Sequence, residues 1–272
     1  MNDGLPWGQT RSAELRWLGA PPAEVRYLAA TTSTNDDVRR LATADAPRGT
    51  VVVADTQTGG RGRGDHQWHS PKGCNLYLSV LVREEVSATR APLLALAMGL
   101  AVARCCDHFV AAERVKIKWP NDVQIDQRKV AGVLVEGALQ GHQLSYAIAG
   151  VGFNVLRQDW PAEIADRAIA LGEVAALGTD ARAKALGFLL AEIESVVDQW
   201  ASPLGSVRWL DEVRSRCATL GREVTVGDHR GLAVDIEDDG ALRLLRSTGE
   251  ITRVYSGEVT TESARPRSDG AS

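Results

Sequence analysis

The stretch Asp55–Pro71 reads DTQTGGRGRGDHQWHSP and decides how the rest of the chain is interpreted. It follows an apolar run, Val51–Ala54, that has the composition of a buried strand. Glycines at positions 59, 60, 62 and 64 permit positive φ and let backbone N–H groups approach a ligand closely. Arg61 and Arg63 add two permanent cations whose planar donor groups fit a phosphate or a carboxylate. With Trp68 as a flat apolar surface, the stretch predicts a site for an anionic ligand that carries a ring system.

A solvated basic turn or an Arg-Gly segment that binds RNA is the simplest alternative for this loop. Two observations weigh against it: the loop lies between two strand-like runs, and the formal net charge is −4, whereas nucleic-acid binders are usually basic. The loop is not a P-loop, because Gly-x-x-x-x-Gly-Lys-Ser/Thr is absent. It is not a dinucleotide-binding fingerprint either, because Asp65 stands where the third glycine is required.

Composition indicates a soluble globular protein of one large domain or two. The 272 residues are 44% hydrophobic and 24% charged. The four cysteines form no Cys-x-x-Cys pair, which indicates neither a zinc site nor a disulfide framework, so a reducing cytoplasm is the simplest location. Met1–Thr10 has no signal-peptide pattern, and the longest apolar run, Pro92–Ala103, is too short for a membrane span. We therefore expect a cytoplasmic protein without membrane contact.

The order of apolar runs predicts an α+β fold with one mixed β-sheet flanked by helices. Strands are predicted at Val25–Ala30, Thr50–Ala54, Asn75–Val82, Val115–Trp119, Val123–Asp126, Val130–Gly137 and Leu144–Val151. Helices are predicted at Pro92–Phe109, Ala181–Trp200 and Arg208–Leu220, and another begins just before Val38. After Gly221, short apolar runs separated by Gly and Asp turns predict a small β-barrel. We expect a catalytic domain at 1–220, the barrel at 221–262 and a disordered tail at 263–272.

A second polar stretch, Lys116–Asp122, reads KIKWPND. Pro120 is predicted to end a strand and to leave Asn121 and Asp122 on the loop that follows, a common place for catalytic groups. A carboxylate there can hold Mg²⁺ together with phosphate oxygens of a substrate. A solvated Pro-Asn-Asp turn is the alternative.

Three further places in the sequence have residues that suit a binding site. Lys129 is predicted to lie in a tight turn, directly before a buried strand, where its charge can reach a phosphate or carboxylate; a solvated lysine is the alternative. Gly132, in that strand, indicates the close approach of a ligand or another backbone. Ser33 and Thr34 precede a helix, where they can cap it or bind a polar ligand.

These motifs, in this order, resemble those of the biotin protein ligases. The residues that carry the resemblance are Ser33–Asn35, Gln57, Gly60–Arg63, Trp68, Lys118–Asp122, Lys129–Glu136 and Gly150–Asn154. It covers about residues 25–260 and implies a sheet like that of class II aminoacyl-tRNA synthetases, with an SH3-like C-terminal barrel. It also implies two reactions: the biotin carboxylate attacks the α-phosphate of ATP to give biotinoyl-5′-AMP, and a lysine of a biotin carboxyl carrier domain then attacks the mixed anhydride.

The resemblance implies roles for individual residues. The catalytic residues would be Lys129, Arg63 and Asp122, with Asp122 also holding Mg²⁺. Biotin would be bound by Ser33, Thr34, Asn35, Gln57, Gly60, Arg61, Arg63, Lys129 and Gly132. The nucleotide would be bound by Arg61, Trp68, Asn121, Lys129 and Asn154, with Trp68 stacked on adenine and Asn154 bonded to its edge.

Two departures from the family pattern refine these expectations. Gly64-Asp65 stands where members often carry another Arg-Gly pair, so the loop has less positive charge. About 24 residues precede the first predicted strand, too few for a winged-helix domain, so the resemblance implies an enzyme that does not bind DNA. The expected partners are carrier domains of biotin-dependent carboxylases, and the expected state is a monomer or a weak, ligand-linked homodimer. A lipoate-type ligase, which shares the fold, and an RNA-binding module are the alternatives.

Overall fold

The computed structural model describes residues 15–202 and 206–261 and contains two β-sheets. The larger sheet has the strand order β1-β2-β3-β7-β6-β5-β4, and its strands are parallel at β1–β2 and antiparallel elsewhere. Its strands are β1 Val25–Leu28, β2 Val51–Ala54, β3 Leu76–Val82, β4 Val115–Lys118, β5 Asp122–Ile125, β6 Arg128–Gln140 and β7 Gln143–Phe153. The prediction of an α+β fold with a mixed sheet is confirmed.

Helices cover both faces of this sheet, which explains why β2 and β3 are buried along their whole length. The helices are α1 Thr34–Thr43, α2 Ala91–Asp107, α3 Ala181–Ala201 and α4 Ser206–Arg216, with 3₁₀ turns at Ala88–Arg90, Ala112–Arg114 and Leu171–Glu173. Along β2, Val52 packs with Val38 of α1, whereas Val51 and Val53 join the core under α2 and α3. Side chains that alternate between two buried faces produce this pattern.

Helix α2 is the central element of the core. Its residues are buried on nearly all sides, and it packs against α3 and β6. The segment Ala88–Asp107 contains an 18-residue window whose mean hydropathy, 1.3, would suit a membrane span, but 67% of that window is buried inside the fold, as in the core helix of a globular protein.

The structure corrects two local predictions. The turn between β5 and β6 consists of Asp126 and Gln127, whose φ angles are 50° and 67°, so Lys129 lies in β6 and not in a tight turn. Asp122 is the first residue of β5 and pairs with Gly132, so it does not lie on a loop. Both shifts place the side chains on the sheet, where the backbone is more rigid.

The smaller sheet is antiparallel throughout and follows α4. Its strands are β8 Glu223–Val226, β9 His229–Ile236, β10 Leu242–Leu245, β11 Ile251–Val254 and β12 Val259–Thr261, in the order β11-β10-β9-β8-β12. It docks on the larger unit: Trp119 Nε1 donates to Gly240 O at 3.0 Å, and Arg214 Nε donates to Ile236 O at 2.8 Å.

The connection between the two units differs from the predicted helix Arg208–Leu220. Helix α4 ends at Arg216, and the next residues pair with the edge of β4, where Ala218 N donates to Ile117 O at 2.8 Å. The domain boundary at residues 220 and 221 stays a prediction. The tail at 263–272 lies outside the described residues.

Candidate active site

A cavity of about 520 Å³ opens between the larger sheet, the glycine loop and the C-terminal unit. Nearly every residue that the sequence marked as functional lines it. These residues are Ser33, Thr34, Asn35, Gln57, Arg61, Arg63, Trp68, Asn121, Asp122, Lys129, Gly132 and Asn154. Gly60 is buried within the glycine loop and does not line the cavity.

The floor of the cavity is made by three glycines on β6 and β7. A Cβ on Gly150 would lie 2.2 Å from Asn35 Oδ1, and one on Gly152 would lie 2.3 Å from Trp68 Cε2. At Gly132 a Cβ would lie 3.0 Å from both Trp68 Cζ3 and Lys129 Cε. Gly132 therefore has close neighbours, but they are the side chains of Trp68 and Lys129 and not the predicted ligand or backbone, and a role for Gly132 in ligand binding stays a prediction.

A chain of buried polar groups forms one end of the cavity. Gln57 Oε1 accepts from Thr34 N at 3.0 Å and from Thr34 Oγ1 at 3.2 Å. Ser79 Oγ lies 2.7 Å from Thr34 Oγ1 and 2.6 Å from Asn35 Oδ1. Ser33 occupies the N-cap position of α1, but its side chain makes no capping hydrogen bond. This end offers hydrogen bonds without a formal charge, which suits a neutral polar ring.

The glycine loop folds into a hairpin above the floor. Trp68 N donates to Gly60 O at 2.9 Å, and Gly62 N donates to His66 O at 2.7 Å. Of the loop glycines at 59, 60, 62 and 64, Gly64 alone has a positive φ, 58°. Gly60 is required by space instead, because a Cβ there would lie 2.7 Å from Ser70 Oγ.

The two loop arginines point to different places. Arg61 makes paired hydrogen bonds to Asp36, at 2.7 and 2.8 Å, and approaches Glu136 Oε2 at 3.5 Å. The hydrogen bond from Arg61 is the main cause that lowers the pKa of Asp36. Arg63 extends the other way and donates to Asn121 Oδ1 and Gly257 O, both at 3.3 Å. Partial burial lowers the pKa of Arg63, which contacts the C-terminal unit through Gly257.

Lys129 and Asp122 form an ion pair beside Trp68. Lys129 Nζ lies 2.7 Å from Asp122 Oδ1 and 5.2 Å from the centroid of the Trp68 ring. Within residues 15–202 and 206–261, no group of three or more His, Cys, Asp or Glu side chains is placed to hold a metal. A single carboxylate fits a Mg²⁺ ion that takes most of its ligands from phosphates and water.

The far wall contains residues that sequence reasoning missed. Trp160, Ile164 and Arg167 come from the segment between β7 and α3, and Trp160 Nε1 is held by Glu173 Oε1 at 3.0 Å. Asn154 lies below them, and its Nδ2 donates to Ile169 O at 3.2 Å. Irregular segments carry no periodic signal, and the one feature that could have indicated this wall is Trp160, an aromatic residue beside a proline.

The mixed sheet, the arginine-bearing glycine loop and the attached β-unit define the class of protein ligases that attach biotin or lipoate. The family model "Biotin/lipoate A/B protein ligase family" matches residues 27–154, and "Biotin protein ligase C terminal domain" matches residues 219–260. The chain belongs to the biotin protein ligase family.

Individual relatives agree with this assignment. The biotin–[acetyl-CoA-carboxylase] ligase of Mycobacterium tuberculosis is 33% identical over 90% of this chain and 92% of its own. The bifunctional ligase/repressor BirA of Bacillus subtilis is 32% identical over 84% of this chain and 70% of its own. Among solved structures, the biotin protein ligase of Aquifex aeolicus in complex with biotin and ATP superposes with a TM-score of 0.72. That match has 31% identity and covers 88% of this chain and 98% of the other.

Proposed function

We propose that this enzyme activates biotin with ATP to form biotinoyl-5′-AMP and transfers the biotin to a lysine of a biotin carboxyl carrier domain. One observation supports this most directly: a single cavity joins a polar end without formal charge to cations that include Arg63 and Lys129. Biotin and its adenylate match this arrangement, because each has a neutral ureido ring at one end and a negatively charged carboxylate or phosphate at the other.

At the neutral end, we propose that the ureido ring is bound by Ser33, Thr34, Asn35 and Gln57. Ser79 would not touch the ring but would hold Thr34 and Asn35 in place. Ser79 is fully buried on β3 and lies within hydrogen-bond distance of Thr34 and Asn35. Its hydroxyl can donate to one neighbour and accept from another, so it fixes the direction in which both present their polar atoms. Apolar walls with a few placed hydrogen bonds are what an uncharged ligand needs.

At the charged end, we propose that Lys129 and Arg63 stabilise the negative charge that develops on the α-phosphate and the leaving pyrophosphate. Cations held in a partly buried site stabilise such charge more strongly than they would in water. The backbone of residues 60–63 would cover the carboxylate. Asp122 is the carboxylate that would hold Mg²⁺, and the ion would neutralise phosphate charge when bound.

For the nucleotide, we propose a site between Trp68, Asn154 and the wall of Trp160, Ile164 and Arg167. One side of the Trp68 ring is covered by Gly132 and Gly152, so a base would stack on the other. In the second step the carrier lysine would attack the anhydride as the loop opens. The monomer or ligand-linked homodimer, the lack of DNA binding and the cytoplasmic location stay predictions.

The function is tested by mass spectrometry after the protein is incubated with biotin, ATP and Mg²⁺. We expect the mass of biotinoyl-AMP to appear, and we expect an added carrier domain to become avidin-reactive. Exchange of pyrophosphate into ATP with lipoate in place of biotin tests the lipoate alternative. A salt-sensitive shift of RNA without adenylate formation would favour the RNA-binding alternative.

Arg63→Ala should release biotinoyl-AMP about tenfold faster than the wild type. The loop would lose its hold on Asn121 and Gly257 and its charge near the phosphate, which together are worth roughly 1.4 kcal/mol. Released adenylate should biotinylate exposed lysines of bystander proteins. The measurement is adenylate dissociation from the isolated complex, with Arg63→Lys as the control that keeps the charge.

That the loop is mobile without ligand also stays a prediction, based on four glycines in six positions. Amide hydrogen exchange of residues 58–67, with and without biotinoyl-AMP, measures it. Equal exchange in both states together with wild-type adenylate release by Arg63→Ala would show that the loop is a static turn.

A further inference from the structure

We propose that Glu136 is a positioning residue that couples occupancy of the biotin pocket to closure of the glycine loop, by holding Asn35 and Arg61 on one carboxylate. The inference rests on the proposed function and adds a residue to which no role has yet been assigned. Glu136 lies on β6, outside the cavity lining, and its side chain is 30% exposed.

The contacts of Glu136 join two parts of the site. Its Oε2 accepts from Asn35 Nδ2 at 2.6 Å and lies 3.5 Å from Arg61 Nη2. Asn35 is buried at the start of α1, whereas Arg61 belongs to the glycine loop. One oxygen atom is therefore shared by a residue of the pocket wall and a residue of the loop.

On the pocket side, an unbroken series of hydrogen bonds connects Glu136 with Gln57. The Asn35 amide is fixed at both ends, because Oδ1 lies 2.6 Å from Ser79 Oγ while Nδ2 donates to Glu136. Ser79 also contacts Thr34, which donates to Gln57. A ligand that hydrogen-bonds to Thr34 or Asn35 fixes the direction of these bonds, and the last partner in the series is the carboxylate that holds Arg61.

On the loop side, Arg61 contacts carboxylates of α1 and β6, which fix the position of the loop. Its guanidinium is engaged by Asp36 with two hydrogen bonds and by Glu136 with a third, and its side chain is 38% exposed. Asp36 lies on α1, one residue after Asn35. Closure of the loop thus pairs Arg61 with carboxylates on both elements that carry the biotin pocket, α1 and β6.

The alternative explanation is that these charges form an ordinary surface ion cluster, and Arg39 provides the control for it. It pairs with Asp36 and Glu136, both at 2.7 Å, from a position on α1. If the four charges were only a surface ion cluster, Arg39 and Arg61 would be equivalent. The proposal requires them to differ, because only Arg61 belongs to the loop.

The experiment measures amide hydrogen exchange of residues 58–67 with and without saturating biotin in the wild type, Glu136→Gln and Arg39→Gln. We expect biotin to slow loop exchange in the wild type and in Arg39→Gln. In Glu136→Gln, biotin should still bind, but the factor by which biotin lowers the loop exchange rate should be smaller by about fivefold or more. Fivefold is the lower end of typical coupling between two sites. Arg61→Gln should lose the slowing as well, and it serves as the second variant if Glu136→Gln does not fold.

Two outcomes overturn the inference alone: equal biotin-dependent slowing in Glu136→Gln and the wild type, or an equal loss in Arg39→Gln. Mass spectrometry for biotinoyl-AMP on the same wild-type sample separates these from a failure of the proposed function. A wild type that forms no adenylate and does not bind biotin overturns both proposals.

Discussion

Replacing Lys129 by methionine should lower the rate of biotinoyl-AMP formation about 100-fold, equivalent to about 2.7 kcal/mol of transition-state stabilisation. Methionine keeps an unbranched apolar stem against Gly132 and Trp68 but removes the cation. It also leaves Asp122, now without its partner at 2.7 Å, next to the phosphates that we place there. Loss of attraction and gain of repulsion act in the same direction, so the effect should exceed that of a single lost hydrogen bond.

The fold should hardly change in this variant. The Lys129 side chain is 35% exposed, and ion pairs with this much solvent contact contribute about 0–1 kcal/mol to stability. Lys72→Met is the matched control, because Lys72 is an exposed cation in the segment between β2 and β3 and does not line the cavity. Pyrophosphate exchange measures the rate, and a wild-type rate in folded Lys129→Met would refute the catalytic assignment.

Replacing Arg182 by methionine should reduce the free energy of unfolding by about 3–5 kcal/mol, the usual result of removing one partner of a buried ion pair. Arg182 donates to Asp55 Oδ1 at 2.7 Å and to Asn75 O at 2.9 Å, and the side chains of Arg182 and Asp55 are only 7% and 6% exposed. Asp55 follows β2 and Asn75 precedes β3, so one guanidinium joins the two ends of the segment that contains the glycine loop.

Two variants separate the buried pair from a general effect of charge. Lys184→Met, on the same helix, breaks an ion pair with Asp180 that is more than half exposed, and should change stability by less than about 0.5 kcal/mol. The double variant Arg182→Met/Asp55→Leu removes both charges and should recover part of the loss. Urea unfolding measures all three, and similar losses for Arg182→Met and Lys184→Met would contradict the expectation.

The sequence predicted the fold well because its strands and helices have strong apolar patterns. Val51–Ala54 and the helix α2 are buried on nearly all sides, so composition alone marked them. Local geometry was harder to predict. The turn at Asp126 and Gln127 uses two positive φ angles without glycine, so no turn signal fixed its position and Lys129 was placed one element too early.

The site could be predicted only in stretches whose residue types, such as glycine, arginine and lysine, themselves indicate ligand binding. The glycine loop and Lys116–Asp122 combine polar and special residues at fixed spacing, and the structure brings them together. Ser79 was missed because it is one hydroxyl in the apolar strand Leu76–Val82, where a buried serine gives no signal of its own. Glu136 was quoted as part of a motif, but its contacts with Asn35 and Arg61 depend on tertiary pairing that spacing cannot reveal.

The glycine floor also limits how this enzyme can be redesigned. At Gly150 and Gly152 even a methyl group would meet Asn35 or Trp68 at 2.2–2.3 Å, so the floor already has the smallest side chains available. A bulkier biotin analogue therefore cannot be accommodated by trimming the floor. New volume can come from the parts of the cavity outside the sheet: the roof, where the glycine loop and Gly257 of the C-terminal unit meet, and the wall of Trp160, Ile164 and Arg167.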